Sequence, residues 1–174
     1  AEAEFEADLE TSLFLVYTAI DARGMKHQQH NKQGGFLGLK AADAKLLDGM
    51  THFDTFPDWF SQTDLDYLVS QFQRSGKRGP YNRYRAQNLD WEQLAHLSDT
   101  KISQPAFFIT GELDPVSHFV PLSTSFLEHV KKNYENLLIA KELSNVGHWT
   151  AEEAPDEVNR ILIDFLSRID HSLH

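Results

Sequence analysis

Two residues in the C-terminal half have the types and the setting for proton transfer. A short apolar run at residues 105–110, Pro-Ala-Phe-Phe-Ile-Thr, ends at Gly111 and leads into Glu112-Leu113-Asp114-Pro115-Val116. A second run, residues 137–140, leads into Asn145-Val146-Gly147-His148-Trp149-Thr150. If both runs are parallel strands, Asp114 and His148 leave the sheet at one edge, where open parallel sheets place their reactive groups. An acid there holds an imidazole in one tautomer and stabilises its protonated form, so that the other ring nitrogen acts as a base. Taken singly, each residue has a plainer explanation: Asp114 caps a helix start and His148 is an incidental loop histidine. Taken together, acid then histidine at successive strand ends, they favour the paired reading.

Other chemistry finds less support. Cysteine is absent, which excludes disulfides and thiolate catalysis and fits a reducing, cytoplasmic setting. His27 and His30 are close in sequence, but no acidic or Cys ligand sits at a supporting spacing, so a solvated loop is expected there and no metal. A net charge of -10 argues against nucleic acid as the main partner. No apolar run approaches the roughly 20 residues of a membrane helix, and the acidic opening residues 1–10 are unlike a secretory signal.

The elements that must position the pair can be read from periodicity. Leu137-Leu138-Ile139-Ala140 and the run before Gly111 have the continuous apolar character of strands buried on both faces. Helical periodicity over residues 119–134 lies between them, and Val158, Ile161, Leu162, Phe165 and Leu166 mark a closing amphipathic helix. This strand–helix–strand–helix order is the unit of a parallel sheet with right-handed crossovers. Before it the chain reads as helical. Phe5, Leu9, Leu13, Val16 and Ile20 predict one helix, with Glu2, Glu4, Glu6 and Asp8 favoured near its N-terminus by the helix dipole. Residues 22–57, punctuated by Gly24, Gly34, Gly35, Gly38 and Gly49, predict an irregular lid or binding loop. Residues 61–76 predict a helix capped by Ser61 and Asp64, with Leu65, Leu68, Val69 and Phe72 as its stripe and Gly76 as its stop. Gly79-Pro80 reads as a turn, and residues 91–97 as a short helix. The change of pattern near Ser98 divides the chain into a helical region, 1–98, and an α/β region, 99–174.

Gly79-Pro80-Tyr81-Asn82-Arg83-Tyr84-Arg85, Gly111 to Val116, and Gly147-His148-Trp149-Thr150 together resemble the epoxide hydrolases of the α/β-hydrolase superfamily. Residues 57–59 and the helix to Gly76 resemble that family's cap, so the likeness extends over essentially the whole chain. Gly-His-Trp-Thr is shared with related dehalogenases; the Asn-x-Tyr-Arg element is more specific. Arg83 stands where many members carry Trp, which alters the wall beside Tyr84 and leaves the tyrosine in place. The chain order acid then histidine is also that of the superfamily.

The resemblance implies an α/β fold, namely the C-terminal portion of an α/β-hydrolase with a helical cap over residues 1–98. It implies hydrolysis of epoxides to vicinal diols through an aspartyl ester, with no cofactor and no metal. His148 is then the base, Asp114 its orienting acid, Tyr84 one of two cap tyrosines that polarise the epoxide, and Val116 and Trp149 substrate contacts. A phenol with a pKa near 10 stays protonated at neutral pH and donates to the departing oxygen. Tyr17 lacks the motif context to be the other tyrosine. Neither Gly-x-Asp-x-Gly nor Gly-x-Ser-x-Gly occurs, and no His-Gly-x-Pro segment is present. The nucleophile is therefore expected upstream of Ala1, on an N-terminal remainder that is this chain's partner, and the strand before Asp114 is expected to have an edge unpartnered within the chain. Two competing functions are a haloalkane or haloacid dehalogenase, which would not need Tyr84, and a non-catalytic binding module.

Overall fold

The computed structural model describes residues 1–31, 43–118 and 124–171, which divide into two units. The first comprises Ala1–Ala19 and Lys26–Asp99, and the second Ile20–Met25 and Thr100–His174.

The first unit is helical. The single opening helix expected from the apolar spacing is two: α1, Glu2–Ala7, and α2, Leu9–Ala19. Asp8 interrupts them because its backbone leaves the helical region (φ -148°) and its Oδ1 accepts the Thr11 amide at 3.1 Å, which makes it the N-cap of α2. The apolar spacing survives the break: Phe5, Leu13, Phe14, Phe60 and Leu65 form the buried core of this unit. Tyr17 belongs to the wall of that core, its ring stacked on Phe60 at 5.2 Å. The acids of α1 anchor other segments as well as suiting the dipole. Glu4 accepts the Leu46 and Leu47 amides, Glu6 accepts the Lys77 amide at 2.7 Å, and Glu2 pairs with Arg85.

The expected irregular stretch from residue 22 begins instead with a helix, α3, Ala22–Asn31. His27 and His30 lie on it and not in a loop: the His27 ring meets Phe53 edge-on, and His30 Nδ1 faces the Lys26 carbonyl at 2.8 Å. Gly34, Gly35 and Gly38 lie outside the described residues. Helix α4, Gln62–Ser75, has the expected capping box, in which Ser61 Oγ accepts the Asp64 amide and Asp64 accepts the Ser61 amide; Gly76 closes it at φ 69°. Gly79 and Pro80, expected to turn the chain, lie in the first turn of α5, Arg78–Arg85, where proline's missing N–H costs nothing. Helix α6 is Gln87–Gln93, followed by a 3₁₀ turn at Ala95–Leu97, so the helix expected at 91–97 starts earlier and changes character midway.

In the second unit, β1, Ala106–Gly111, and β2, Leu137–Leu143, pair in parallel. The register aligns Gly111 with Leu143, so both chains leave the pair at one edge. Among the described residues these two strands make the whole sheet. Between them runs α7, Phe126–Lys131, shorter than the expected 119–134; residues 119–123 lie outside the described set. After β2 come α8, Thr150–Glu153, and α9, Pro155–His171. Leu143, Val146 and Ile161 are the buried centre, with Phe107, Ile109, Ile139 and Val158 packed on it. No helix among the described residues is long and apolar enough to cross a membrane.

Candidate active site

The two strand ends are drawn together by backbone. Glu112 N donates to the Leu143 carbonyl and Leu113 N to the Val146 carbonyl, each at 2.9 Å. Asn145 turns the chain at φ 61°, a conformation that its short amide side chain tolerates. Gly111 sits so close to this turn that a Cβ there would lie 2.2 Å from the Gly147 carbonyl oxygen. Gly147 in turn lies against Asp21 and Ala22, where a Cβ would meet the Ala22 amide nitrogen at 2.5 Å. Two missing side chains thus let three backbone segments touch.

The result is a hydrogen bond between His148 Nδ1 and Asp114 Oδ1 at 3.0 Å. The acid side chain is 13% exposed and the imidazole 35%, so the carboxylate is shielded and the ring stays reachable. Asp114 also caps the 3₁₀ turn Pro115–His118: the same Oδ1 accepts the Val116 amide at 2.9 Å, and the Asp114 carbonyl accepts from Ser117. Asp114 thus both caps the turn and bonds the imidazole, and the cap aims the carboxylate. With Nδ1 donating to Asp114, Nε2 is the nitrogen free to take a proton. The Asp114 bond holds the imidazole pKa above its ordinary value; burial opposes this, and the charges of Asp114, Glu153 and Glu152 add to the rise.

The Trp149 ring meets the His148 ring edge-on at 5.0 Å, and Val116 is exposed on the turn after Asp114. Tyr84 is on α5 of the first unit and is 68% exposed. The second unit also holds two acids that spacing did not single out. Asp21 is 1% exposed, and its Oδ1 accepts the Gly24 amide at 2.6 Å as the cap of α3. Burial raises its pKa from the ordinary carboxylate value, and the Gly24 amide bond opposes the rise. Glu153 accepts backbone amides from Ala22, Gly147 and Trp149. The sequence signal for Asp21 was an N-cap acid three residues before Gly24; Glu153 had none, because backbone amides leave no mark in sequence.

A parallel strand pair with an acid–imidazole bond at its carboxyl edge, closed by an amphipathic helix, is part of an α/β-hydrolase fold, and solved structures of that fold match it. No family model matches the chain. It is 36% identical over 126 residues to epoxide hydrolase B of Mycobacterium tuberculosis, covering 72% of this chain and 35% of that protein. It is 31% identical to epoxide hydrolase 2 of Siraitia grosvenorii, covering 97% of this chain and 49% of the relative. An epoxide hydrolase from an endophytic Streptomyces superposes with a TM-score of 0.85 at 33% identity, over 98% of this chain and 49% of that one. The chain is related to the epoxide hydrolases of the α/β-hydrolase fold, and it spans no more than about half the length of the relatives named here.

Proposed function

We propose that these 174 residues supply the water-activating and epoxide-polarising part of an epoxide hydrolase. The observation that supports this most is the 3.0 Å bond between His148 Nδ1 and Asp114 Oδ1, in a chain related to epoxide hydrolases. Residues 1–98 act as the cap and 99–174 as part of the catalytic core. An aspartate carboxylate from polypeptide outside these residues attacks one epoxide carbon. The carbon–oxygen bond breaks, and the departing oxygen takes the phenolic proton of Tyr84. His148 Nε2 then removes a proton from water while the water oxygen bonds to the ester carbonyl carbon, and the ester collapses to release the diol. The two protons of that water restore the tyrosine and complete the second hydroxyl. Asp114 holds the imidazole tautomer and stabilises the imidazolium. Val116, on the turn after Asp114, and Trp149, whose ring meets that of His148, contact the substrate. No step calls for a metal or organic cofactor, and a chain without cysteine suits the cytoplasm.

The test is a polypeptide carrying these residues together with the remainder that its relatives possess, assayed on a chromogenic epoxide. The expected result is diol formation in the unaltered protein. In His148→Gln, turnover should fall by about 10²–10⁴-fold, the usual worth of a positioned base, with a covalent ester visible by intact mass. Turnover of a haloalkane with none of the epoxide would overturn the proposal, as would an unchanged rate in His148→Gln.

A further inference from the structure

Glu153 has no part in the steps above, yet its carboxylate accepts three backbone amides beside the pair. Oε2 accepts the Ala22 amide at 2.9 Å and the Gly147 amide at 3.0 Å, and Oε1 accepts the Trp149 amide at 3.1 Å. Gly147 and Trp149 flank His148 in the chain, so one carboxylate grips the backbone on both sides of the histidine. Ala22 belongs to the segment on which this turn rests, and the His148 amide itself donates to the Ile20 carbonyl at 3.0 Å. A carboxylate accepting several N–H bonds is a charge-assisted tether, stronger than neutral contacts.

Helix capping alone does not account for this arrangement. Glu153 is an acid of the single turn of α8, and its bond to the amide of Trp149, the N-cap, is of the capping kind, but Gly147 and Ala22 lie outside that helix. Its neighbour Glu152 stands at the third helical position, where a capping-box acid normally reaches back, and is exposed. The half-buried acid is thus the one that turns back, past its own helix, to the histidine turn and to Ala22.

We propose that Glu153 is a positioning residue for His148: it clamps the amides of Gly147 and Trp149 to Ala22 and so holds the imidazole with Nδ1 on Asp114. This rests on the reading of His148 as the base. Displacing a catalytic group by about 1 Å costs up to about 10²-fold, so release of the clamp slows ester hydrolysis and leaves ring opening, which does not use His148, alone.

The experiment uses the complete hydrolase, ¹⁵N-labelled in histidine, with Glu153→Gln, Glu153→Asp and, as a charge control, Glu152→Gln. A Nδ1 proton bonded to a carboxylate gives a downfield proton resonance. Glu153→Gln should lose or broaden that resonance and slow ester hydrolysis about tenfold to hundredfold in single-turnover measurements, with the ring-opening rate kept. Glu152→Gln should retain both, and Glu153→Asp, whose carboxylate is one methylene short, should fall between. A resonance and rate in Glu153→Gln equal to those of the unaltered protein would overturn the proposal. So would equal changes in Glu153→Gln and Glu152→Gln, because charge alone would then explain them. If Glu153→Gln does not fold, Glu153→Asp decides: intermediate behaviour supports the clamp and wild-type behaviour refutes it. If the unaltered protein opens no epoxide, the functional reading fails on its own, and the resonance alone decides the role of Glu153.

Discussion

The two units hold their candidate residues in different ways. In the second, Asp114 and His148 ride on loops held through their backbone groups: Leu113 N to Val146 O, His148 N to Ile20 O, the Gly147 and Trp149 amides to the Glu153 carboxylate, and close contacts at Gly111 and Gly147 that no side chain could share. In the first, Tyr84 rides on α5, which is anchored by side-chain packing and pairing, with one backbone contact, the Lys77 amide to Glu6. The Tyr81 ring meets Phe5 edge-on at 6.3 Å, Arg85 pairs with Glu2, and Lys77 lies with its ammonium 3.5 Å from the Phe72 ring centroid and 4.3 Å from that of Phe5. Burial lowers the Lys77 pKa, with the Glu6 charge opposing. Backbone fixing specifies one geometry and tolerates little change, whereas side-chain packing tolerates exchange of similar shapes. The unit proposed to move protons between nitrogen and water is the one built with less freedom.

Removal of the Asp114 charge should sharpen this contrast most. Asp114→Asn leaves the fold of the second unit in place but takes away the group that fixes the tautomer, and ester hydrolysis should fall by about 10²–10⁴-fold. The pH dependence carries a sign. Asp114 raises the His148 pKa above 6.5, and only the neutral imidazole accepts a proton, so hydrolysis in the unaltered protein should rise with pH through a value above 6.5. In Asp114→Asn that limb should move to lower pH while the plateau drops. The same upward shift makes the imidazolium stabilising. That stability is fully present below the unfolded value and is lost as pH climbs through the folded one. A pH–rate limb at the same place in both proteins would break the link between the pair's geometry and its chemistry.

A smaller effect is expected from the helical unit. Tyr84→Phe removes one proton donor, and the family resemblance implies a second tyrosine in the same role. Ring opening should therefore slow by roughly tenfold to hundredfold, less than the 10²–10⁴ typical of a lone general acid. Ester hydrolysis, which follows ring opening and does not use the phenol, should keep its rate. Equal loss in both steps, resolved by stopped-flow and quench, would show that Tyr84 acts through structure and not through its proton.

What sequence could disclose follows the same division. The strands were legible because buried parallel strands read as unbroken apolar runs, and the chain order of Asp114 and His148 followed from them. Helix α4 was legible because its cap, stripe and stop are all local. Helix α3 was not: Ala22–Asn31 holds Met25 as its main apolar side chain, so no stripe marks it, and the signal was the cap acid Asp21. Asp8 broke the first helix for a similar reason, a capping contact that periodicity ignores. Gly79-Pro80 looked like a turn because dipeptide chemistry does not distinguish a turn from the first turn of a helix. The contacts that place His148, from Glu153, Gly147 and Ile20, run between segments as much as 131 residues apart. They engage backbone groups, which every residue has and no spacing reveals.

The smallest effect should come from a change confined to the helical unit and far from any proposed proton path. Ser61 and Asp64 exchange bonds: the Asp64 amide to Ser61 Oγ at 3.3 Å, the Ser61 amide to Asp64 Oδ2 at 2.9 Å, and Ser61 Oγ to Asp64 Oδ2 at 2.6 Å. Loss of such a serine cap costs about 1 kcal/mol, which in the complete hydrolase lowers the melting temperature by about 2 °C or less. The Asp64 pKa is held down, first by the Ser61 side chain and then by its amide. A depressed carboxylate stabilises above its unfolded value and loses that contribution as pH falls through the folded one. The gap between Ser61→Ala and the unaltered protein, measured by thermal unfolding, should therefore be full near neutrality and narrow in acid. The downfield His148 resonance and the ester-hydrolysis rate should not move, because the bonds that hold the imidazole lie wholly within the second unit. A Ser61→Ala protein that melts earlier and also loses that resonance would show that the two units are coupled in how they hold their residues, and the distinction between side-chain and backbone anchoring would fail.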